Sequence, residues 1–277
     1  MRKIVAYTAS VCLLLVALAT PGLAQDDKDN TGTNPVNFTY DMRFITEMQW
    51  RPDDGGSLLK HTFEFRAPLG SDVANLTGAE AGIFRDMGKR FAVRFRAYYQ
   101  NLSVNDPDGA SFGSSSVSGI GDFDARLLWL AAINNNWGIA PGLEAFFNTA
   151  SNDVLGSGST TLAPVVFFAL FNKLGPRSIF APGYQYVFDV AGNKVSRSNI
   201  DLYFVWILAG GKNWLIVNPQ IILDHENSAE FMQADAEFGY MIVPQSGIGG
   251  YVRPGIAVGA DRPFDWNFEF ALKFVWR

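Results

Sequence analysis

The chain has 277 residues, of which 27 are acidic and 22 basic, and its formal net charge is −5. This acidic balance argues against a general affinity for nucleic acid. A single cysteine rules out a disulfide framework, and no run of about 18 apolar residues follows the N-terminal segment, so we expect no transmembrane helix. Aromatic residues make up 14% of the chain and there are 27 glycines, a composition typical of an all-β protein.

Residues 1–24 predict a secretory signal peptide. Arg2 and Lys3 precede an apolar run, a helix-breaking Pro-Gly pair follows it, and the small residue Ala24 marks the expected cleavage site. The run is shorter than the roughly 20 residues that a membrane anchor needs. We therefore expect an exported chain whose mature form begins with a disordered polar tail over residues 25–35.

The first folded segment, residues 36–50, alternates between apolar and polar side chains. Its even positions carry Phe38, Tyr40, Met42, Phe44, Met48 and Trp50, and its odd positions carry Asn37, Asp41, Arg43, Glu47 and Gln49. Successive side chains of a strand point to opposite faces, so this segment predicts one apolar and one charged face. A soluble sheet would bury the apolar face, whereas a membrane barrel turns it toward lipid.

The same two-residue period recurs along the rest of the chain. The further predicted strands are 58–67, 90–100, 121–133, 137–149, 161–171, 179–190, 199–208, 214–224, 229–243, 247–259 and 266–276. With the first segment they make about twelve strands, each near the ten or so residues that a tilted membrane-spanning strand requires. The segment 161–171 is apolar on both faces.

The predicted connections alternate between short and long. The short ones are 134–136, 174–178, 209–213 and 244–246, and the longer ones are 102–118, 150–160, 191–198, 224–230 and 259–265. In outer-membrane barrels the short turns are periplasmic and the long loops are external, and an even number of strands places both termini on the periplasmic side. Residues 69–88 break the alternation, and we expect a short periplasmic helix or an additional hairpin there.

The tryptophans decide between a secreted sandwich and a membrane barrel. All seven lie at or near predicted strand ends, where aromatic girdles meet the bilayer interface: Trp50, Trp129, Trp137, Trp206, Trp214, Trp266 and Trp276. We therefore predict an all-β transmembrane antiparallel up-and-down β-barrel of about twelve strands over residues 36–277, located in the bacterial outer membrane and surrounded by its lipid. The final strand, with Trp276 before Arg277, is similar to the signal recognised by the barrel-assembly machinery, an expected partner during biogenesis.

One segment supports a family resemblance. Residues 118–130, SGIGDFDARLLWL, contain Gly119, Gly121 and Asp122, and resemble the Gly-x-Gly-Asp strand opening of outer-membrane proteins known as meta-pathway phenol-degradation or transporter-like proteins. The order of signal peptide, later apolar strand and aromatic final strand is also similar. The resemblance implies a barrel that passes small, often hydrophobic, organic molecules. The connection 69–88 departs from that family.

If the charged face points inward, it lines the lumen. The candidate lumen-lining and selectivity residues are Arg43, Glu47, Glu64, Arg66, Arg90, Arg94, Arg96, Asp122, Asp124, Arg126 and Glu144, accompanied by Lys60 and, on the last strands, by Asp235, Glu237, Arg253, Glu269 and Lys273. Neighbouring strands alternate in sign, so many of these should pair.

Two interpretations of the lumen stay open. A water-filled path with a basic stripe would favour anionic or polarisable small solutes, whereas a charged network could fill the barrel and conduct little. We expect a channel with a small-molecule solute as its partner, no cofactor, no metal and no enzymatic activity.

An outer-membrane lipid hydrolase is the enzymatic alternative. His61 lies on the predicted apolar face, as the histidine of such an enzyme would, but no serine or Asn-Gly pair follows it closely and no Gly-x-Ser-x-Gly motif is present. An interfacial histidine is the simpler interpretation. The adjacent residues Asp224, His225 and Glu226 resemble metal ligands in type, although adjacent side chains seldom converge on one ion.

Overall fold

The computed structural model describes residues 38–52, 55–69, 90–104 and 115–276. The strand segments are β1 Tyr40–Trp50, β2 Ser57–Pro68, β3 Phe91–Val104, β4 Ser115–Ile120, β5 Phe123–Trp129, β6 Ala132–Ile133, β7 Trp137–Phe147, β8 Ser159–Phe171, β9 Ser178–Gly192, β10 Ser196–Leu208, β11 Asn213–Asp224, β12 Ala229–Val243, β13 Ile248–Val258 and β14 Trp266–Trp276. Within these ranges, no helix is long and apolar enough to cross a bilayer. The predicted signal peptide, the tail 25–35 and almost all of the connection 69–88 lie outside the described residues.

The segments form a closed antiparallel barrel. β4, β5 and β6 are consecutive pieces of one interrupted strand, so the fourteen segments make twelve barrel strands. Each strand pairs with its neighbours along the chain, and β1 closes the barrel by pairing with β14 from Tyr40↔Trp276 to Trp50↔Trp266. The predicted fold class and strand number are therefore confirmed.

The apolar face of the strands points outward. Phe44 and Phe95 are exposed on the outer surface, at 50% and 39% of their full area, whereas Arg43 and Glu144 are buried inside. Aromatic neighbours cover the outer surface in rows, as in the stacked rings of Phe95 and Phe123, whose centroids lie 6.1 Å apart. Alternation along each strand thus separates an outer apolar surface from an inner polar one.

Aromatic pairs mark both ends of the barrel. Trp50 and Trp266 stack with centroids 3.6 Å apart at one end. Tyr40 and Trp276 stack at 6.0 Å at the other end, which carries the chain termini and is called the termini end below. These positions fit the interfacial girdle expected from the sequence.

Trp214 is the exception among the tryptophans, because it lies inside the barrel with 2% of its surface exposed. Its register partner across β11 and β12 is Gly239, and a Cβ atom there would lie 1.7 Å from the indole ring. The glycine leaves room for the ring to turn inward. The expectation that Trp214 belongs to the girdle was wrong, since a position near a strand end does not determine the face.

Two loops are shorter than predicted. The predicted connections 191–198 and 224–230 reduce to turns over 193–195 and 225–228. At the first turn, β10 begins three residues earlier than predicted, because Ser196, Arg197 and Ser198 are polar on both faces and show no two-residue pattern. At the second turn, β11 ends and β12 begins where the strands were predicted, so the predicted connection overlapped both strand ends. Neither turn therefore reaches the length that was expected of an external loop.

Candidate pore and its charged wall

A cavity of about 370 Å³ lies in the lumen. It extends from Phe38 and Thr39, at the termini end, to Glu47 and Lys60 deeper in the barrel. Its walls come mainly from the inner faces of β1, β2, β3 and β5, with contributions from β8, β10, β11, β13 and β14 across the lumen. Most of the lining residues therefore belong to the first strands.

The structure brings most of the predicted site residues together. The cavity is lined by Arg43, Glu47, Glu64, Arg66, Arg94, Arg96 and Arg126, together with Lys60, Arg253 and Glu269. Asp124 and Glu144 are fully buried in the wall and contact the arginines from behind. Arg90 lies near the termini end, where its guanidinium approaches the carbonyl oxygen of Ala131 at 3.5 Å, and it does not line the cavity.

Sequence reasoning missed most of the remaining lining. Tyr98, Tyr203 and Tyr251 face the cavity, as does Asp201 on β10, and they are joined by Phe167 from the segment that is apolar on both faces. These aromatic residues occupy inward positions, whereas the sequence pattern associated aromatic side chains with the lipid side. Asp201 and Tyr203 are two residues apart on β10 and therefore share a face of the strand. The charge of Asp201 is the signal that would have identified this face as the inner one.

Three arginines occupy one row across neighbouring strands. Arg66 on β2 is the register partner of Arg94 on β3, and Arg94 is the partner of Arg126 on β5. Asp41 and Glu144 end this row on either side. Like charges directly opposite each other destabilise a sheet, so the expected alternation of sign fails within this arginine row.

A second row follows the expected pairing more closely. Along it, Arg43 on β1 is opposite Glu64 on β2, Glu64 is opposite Arg96, and Arg96 is opposite Asp124. Lys273 on β14 is the like-charged partner of Arg43. Opposite charges that face each other in this way stabilise the sheet.

Glu144 holds three arginines together. Its carboxylate accepts hydrogen bonds from Arg126 at 2.5 and 3.0 Å and from Arg96 at 3.2 Å, and it also contacts Arg94. Gln185 on β9 adds a hydrogen bond of 2.7 Å. Because Glu144 is fully buried, these contacts replace the water that a carboxylate would otherwise bind.

Asp124 supports the same wall. It accepts two hydrogen bonds from the Nε atom of Arg96, at 2.9 and 3.1 Å, and one from the hydroxyl of Tyr98. Arg96 is thereby held between two carboxylates. The result is a fixed array of guanidinium groups on one side of the lumen.

The opposite side of the lumen is largely filled. An apolar cluster occupies the inner face of β7 to β14 near the termini end, consisting of Ala140, Ala169, Ile179, Ala181, Val205, Ile207, Trp214, Ile216, Met241, Tyr251 and Ala271. Trp214 donates to Glu237 at 2.6 Å, and the ammonium of Lys273 lies 5.1 Å from the indole centroid. This packing confines the open path to the arginine side.

Asp122 is engaged by a loop rather than by the lumen. It lies at the break between β4 and β5 and accepts four hydrogen bonds from the loop 148–158. The donors are the backbone N–H groups of Thr149, Ala150 and Ser157, at 3.0, 3.2 and 2.6 Å, and the Ser157 hydroxyl at 2.8 Å. This corrects the sequence-based assignment of Asp122 to the pore lining.

The same loop covers the edge of β4. Of the described strands only β3 pairs with β4, and the backbone groups of Ile120 bond instead to Ser151, with both N···O distances at 2.9 Å. A Cβ atom at Gly119 would lie 2.2 Å from the Ser151 hydroxyl oxygen. The Gly-x-Gly-Asp motif therefore accommodates and holds this loop at the end opposite the termini.

Replacing Asp122 with alanine is expected to free the loop 148–158. All four hydrogen bonds are lost, and bonds to a charged acceptor contribute about 1.5–3 kcal/mol each. Hydrogen–deuterium exchange of residues 149–157 should accelerate at least about tenfold, with Asp122→Asn intermediate because it keeps one acceptor oxygen. Unchanged exchange in the loop, with exchange of β9 and β10 as the internal reference, would contradict this role.

The remaining candidates are separate from the cavity. His61 lies on the outer surface, with its Nδ1 atom 3.0 Å from the hydroxyl of Thr46. His225 pairs with Ser198 at 2.8 Å, whereas Asp224 binds the backbone of its own turn, so the two do not converge on one point. In the described ranges, no group of three His, Cys, Asp or Glu side chains is placed to hold a metal ion.

No protein-family model matches the sequence, and no curated protein matches it. Solved structures do. The COG4313 outer membrane channel from Pseudomonas putida F1 superposes with a TM-score of 0.62 at 11% identity, over 92% of this chain and 100% of that chain. The fold is that of an outer-membrane β-barrel. The NanC porin follows with a TM-score of 0.54 at 9% identity, covering 86% and 99% of the two chains.

A third structure shows that this architecture also serves proteins of another kind. The β domain of the Bordetella autotransporter Brka superposes with a TM-score of 0.50 at 12% identity, over 87% of this chain and 100% of that domain. These identities are low, so the comparisons establish the fold, and function has to be argued from the lumen.

Proposed function

We propose that the protein is a narrow outer-membrane channel for passive or facilitated passage of small solutes, with a preference for anions. The observation that carries this proposal is the cavity bounded by Arg43, Arg66, Arg94, Arg96 and Arg126 inside a closed barrel. Fixed positive charges between low-dielectric walls raise the local concentration of anions.

The solved neighbours support a channel. One is an outer membrane channel and another is a porin. The resemblance of residues 118–130 to the phenol-degradation, transporter-like proteins supports small organic solutes, and the aromatic residues of the cavity wall fit that class. In this proposal residues 1–24 direct export, the barrel-assembly machinery inserts the chain, and the termini face the periplasm.

The rival is a barrel that is closed by its own side chains. The apolar cluster and the ion pairs fill a large part of the lumen, and a barrel closed in this way would have a structural role. Single-channel recording in planar bilayers separates the two, because a channel gives discrete conductance steps. A correctly folded barrel that inserts without any conductance would overturn the channel proposal.

Arg66→Gln tests the anion preference. Among the described residues, Arg66 has one ion pair, with Glu64 at 2.8 Å, and a third of its side chain is exposed, so its loss disturbs the wall less than loss of Arg94 or Arg96 would. Under a salt gradient the reversal potential should shift toward cations. The shift should fade with salt, since the screening length falls from about 10 Å at 0.1 M to about 3 Å at 1 M.

Glu47→Gln is the matched control of opposite sign. Glu47 also lines the cavity, and it is held by an ion pair with Lys60. Its neutralisation should move the reversal potential toward anions. Shifts of the same sign for both variants, or conductance with no shift for either, would show that the permeation path avoids this wall.

A further inference from the structure

We propose that Arg66 and Arg94 form a binding site for the carboxylate of a small organic acid that has a flat apolar body. This inference rests on the proposed channel, because the site lies in its cavity. It names the solute class that the wall selects.

Of the two neighbouring pairs in the arginine row, only Arg94 and Arg126 share a carboxylate. Arg94 and Arg126 both contact Glu144, whereas Arg66 pairs with Glu64. Among the ion pairs of the described residues, no carboxylate contacts both Arg66 and Arg94, although the two are register partners. The facing arginines thus leave a place for a shared counter-ion.

Each of these two arginines keeps a buried donor without a partner. The Nε–H groups of both Arg66 and Arg94 are buried without a hydrogen-bond partner in the described structure. A buried donor without a partner destabilises the protein by about 1–3 kcal/mol, or more for a charged group. Planar guanidinium groups recognise planar carboxylates particularly well, since two N–H groups match two oxygens.

The aromatic lining of the cavity indicates that the ligand carries a flat apolar group beside its carboxylate. Phe38, Tyr98, Phe167, Tyr203 and Tyr251 contribute to its lining, and the volume of about 370 Å³ falls in the range of small-molecule sites. Aromatic walls favour a flat apolar group by stacking and burial. A carboxylate at the arginine pair with its ring among these side chains would use both parts of the cavity.

The test uses benzoate as the probe in planar bilayers with chloride as the charge carrier. Benzoate added at the side of the termini should reduce the chloride current through the wild-type barrel. Benzyl alcohol lacks the charge and acetate lacks the ring, so both should inhibit much more weakly. Inhibition by inorganic phosphate at the level of benzoate would overturn the assignment of the class.

Variants locate the site. Arg66→Gln and Arg94→Gln should each raise the half-inhibitory benzoate concentration by about tenfold, because each removes a charged donor. Arg90→Gln is the matched control, since Arg90 carries the same charge but does not line the cavity, and it should leave inhibition by benzoate nearly unchanged. If inhibition by benzoate weakened equally in all three variants, the positive charge of the lumen as a whole would explain it, and the proposed site would be wrong.

A binding measurement separates this inference from the channel itself. Isothermal titration of benzoate into the detergent-purified barrel reports binding whether or not ions pass. Binding that depends on Arg66 in a barrel without conductance would support the site and overturn the channel. Conductance without benzoate binding would overturn the site alone. If Arg94→Gln does not fold, Arg66→Gln still decides the outcome.

Discussion

Glu144→Gln is expected to lower the free energy of unfolding by about 3–5 kcal/mol, the usual consequence of removing one member of a buried ion pair. The glutamine keeps the shape of the side chain but removes the charge that Arg94, Arg96 and Arg126 share. Three guanidinium groups then face one another, and the nearest remaining counter-charges, Asp124 and Glu64, do not contact all three. The folded fraction, read as the fast-migrating band on unboiled gels, should disappear at a lower urea concentration than in the wild type.

Glu47→Gln provides the comparison for this variant. Glu47 is a buried carboxylate of the same lumen, but within the described part of the chain its one ion pair is with Lys60, at 2.5 Å. A quarter of the Lys60 side chain is exposed, so water can solvate the ammonium after the change. The destabilisation should be clearly smaller than for Glu144→Gln. Equal losses in the two variants would mean that Glu144 does not organise the arginine wall.

Phe95→Arg is expected to cost about 2–4 kcal/mol in the folding of the barrel into lipid vesicles. Phe95 lies on β3 between the two aromatic ends of the barrel, with 39% of its surface exposed on the outer face. The substitution places a charge in hydrocarbon and removes the ring that stacks on Phe123. The measurement is the fraction of protein that becomes heat-modifiable on gels after refolding into vesicles.

Phe95→Leu separates the two causes. Leucine loses the stacking with Phe123 but stays apolar, so most of the folding yield should persist. If the arginine variant folds as well as the leucine variant, this part of β3 does not face hydrocarbon, and the exposed apolar surface would then have to be covered by another protein.

The sequence allowed the strands and their faces to be predicted because both depend on local alternation. Register between strands does not follow from alternation. The strands that carry Arg66, Arg94 and Arg126 are joined by the connections 69–90 and 105–114. Connections of this length do not determine how far one strand is shifted along the next. The arginine row could therefore not be foreseen, although each arginine had been assigned to the inner face.

The assignments of two single residues were wrong for different reasons. Asp122 lies on an inward position of its strand, yet the strand is interrupted there and the carboxylate meets a distant loop, a contact that local pattern does not encode. Trp214 lies on the same alternate positions of β11 as Asn218 and Gln220, which line the cavity, so alternation indicated its inward face. Only the room for its ring, which Gly239 leaves 25 positions later, depends on a distant segment.

The inward position of Trp214 gives the barrel a built-in optical probe. The other six tryptophans lie toward the bilayer interface, where brominated lipids can quench their emission, but the indole of Trp214 is separated from lipid by the barrel wall. Its ring touches Glu237 and lies beside Lys273, so its emission wavelength responds to charge and hydration in the lumen. The fluorescence that survives quenching from the membrane therefore reports on the interior of the barrel, without any label.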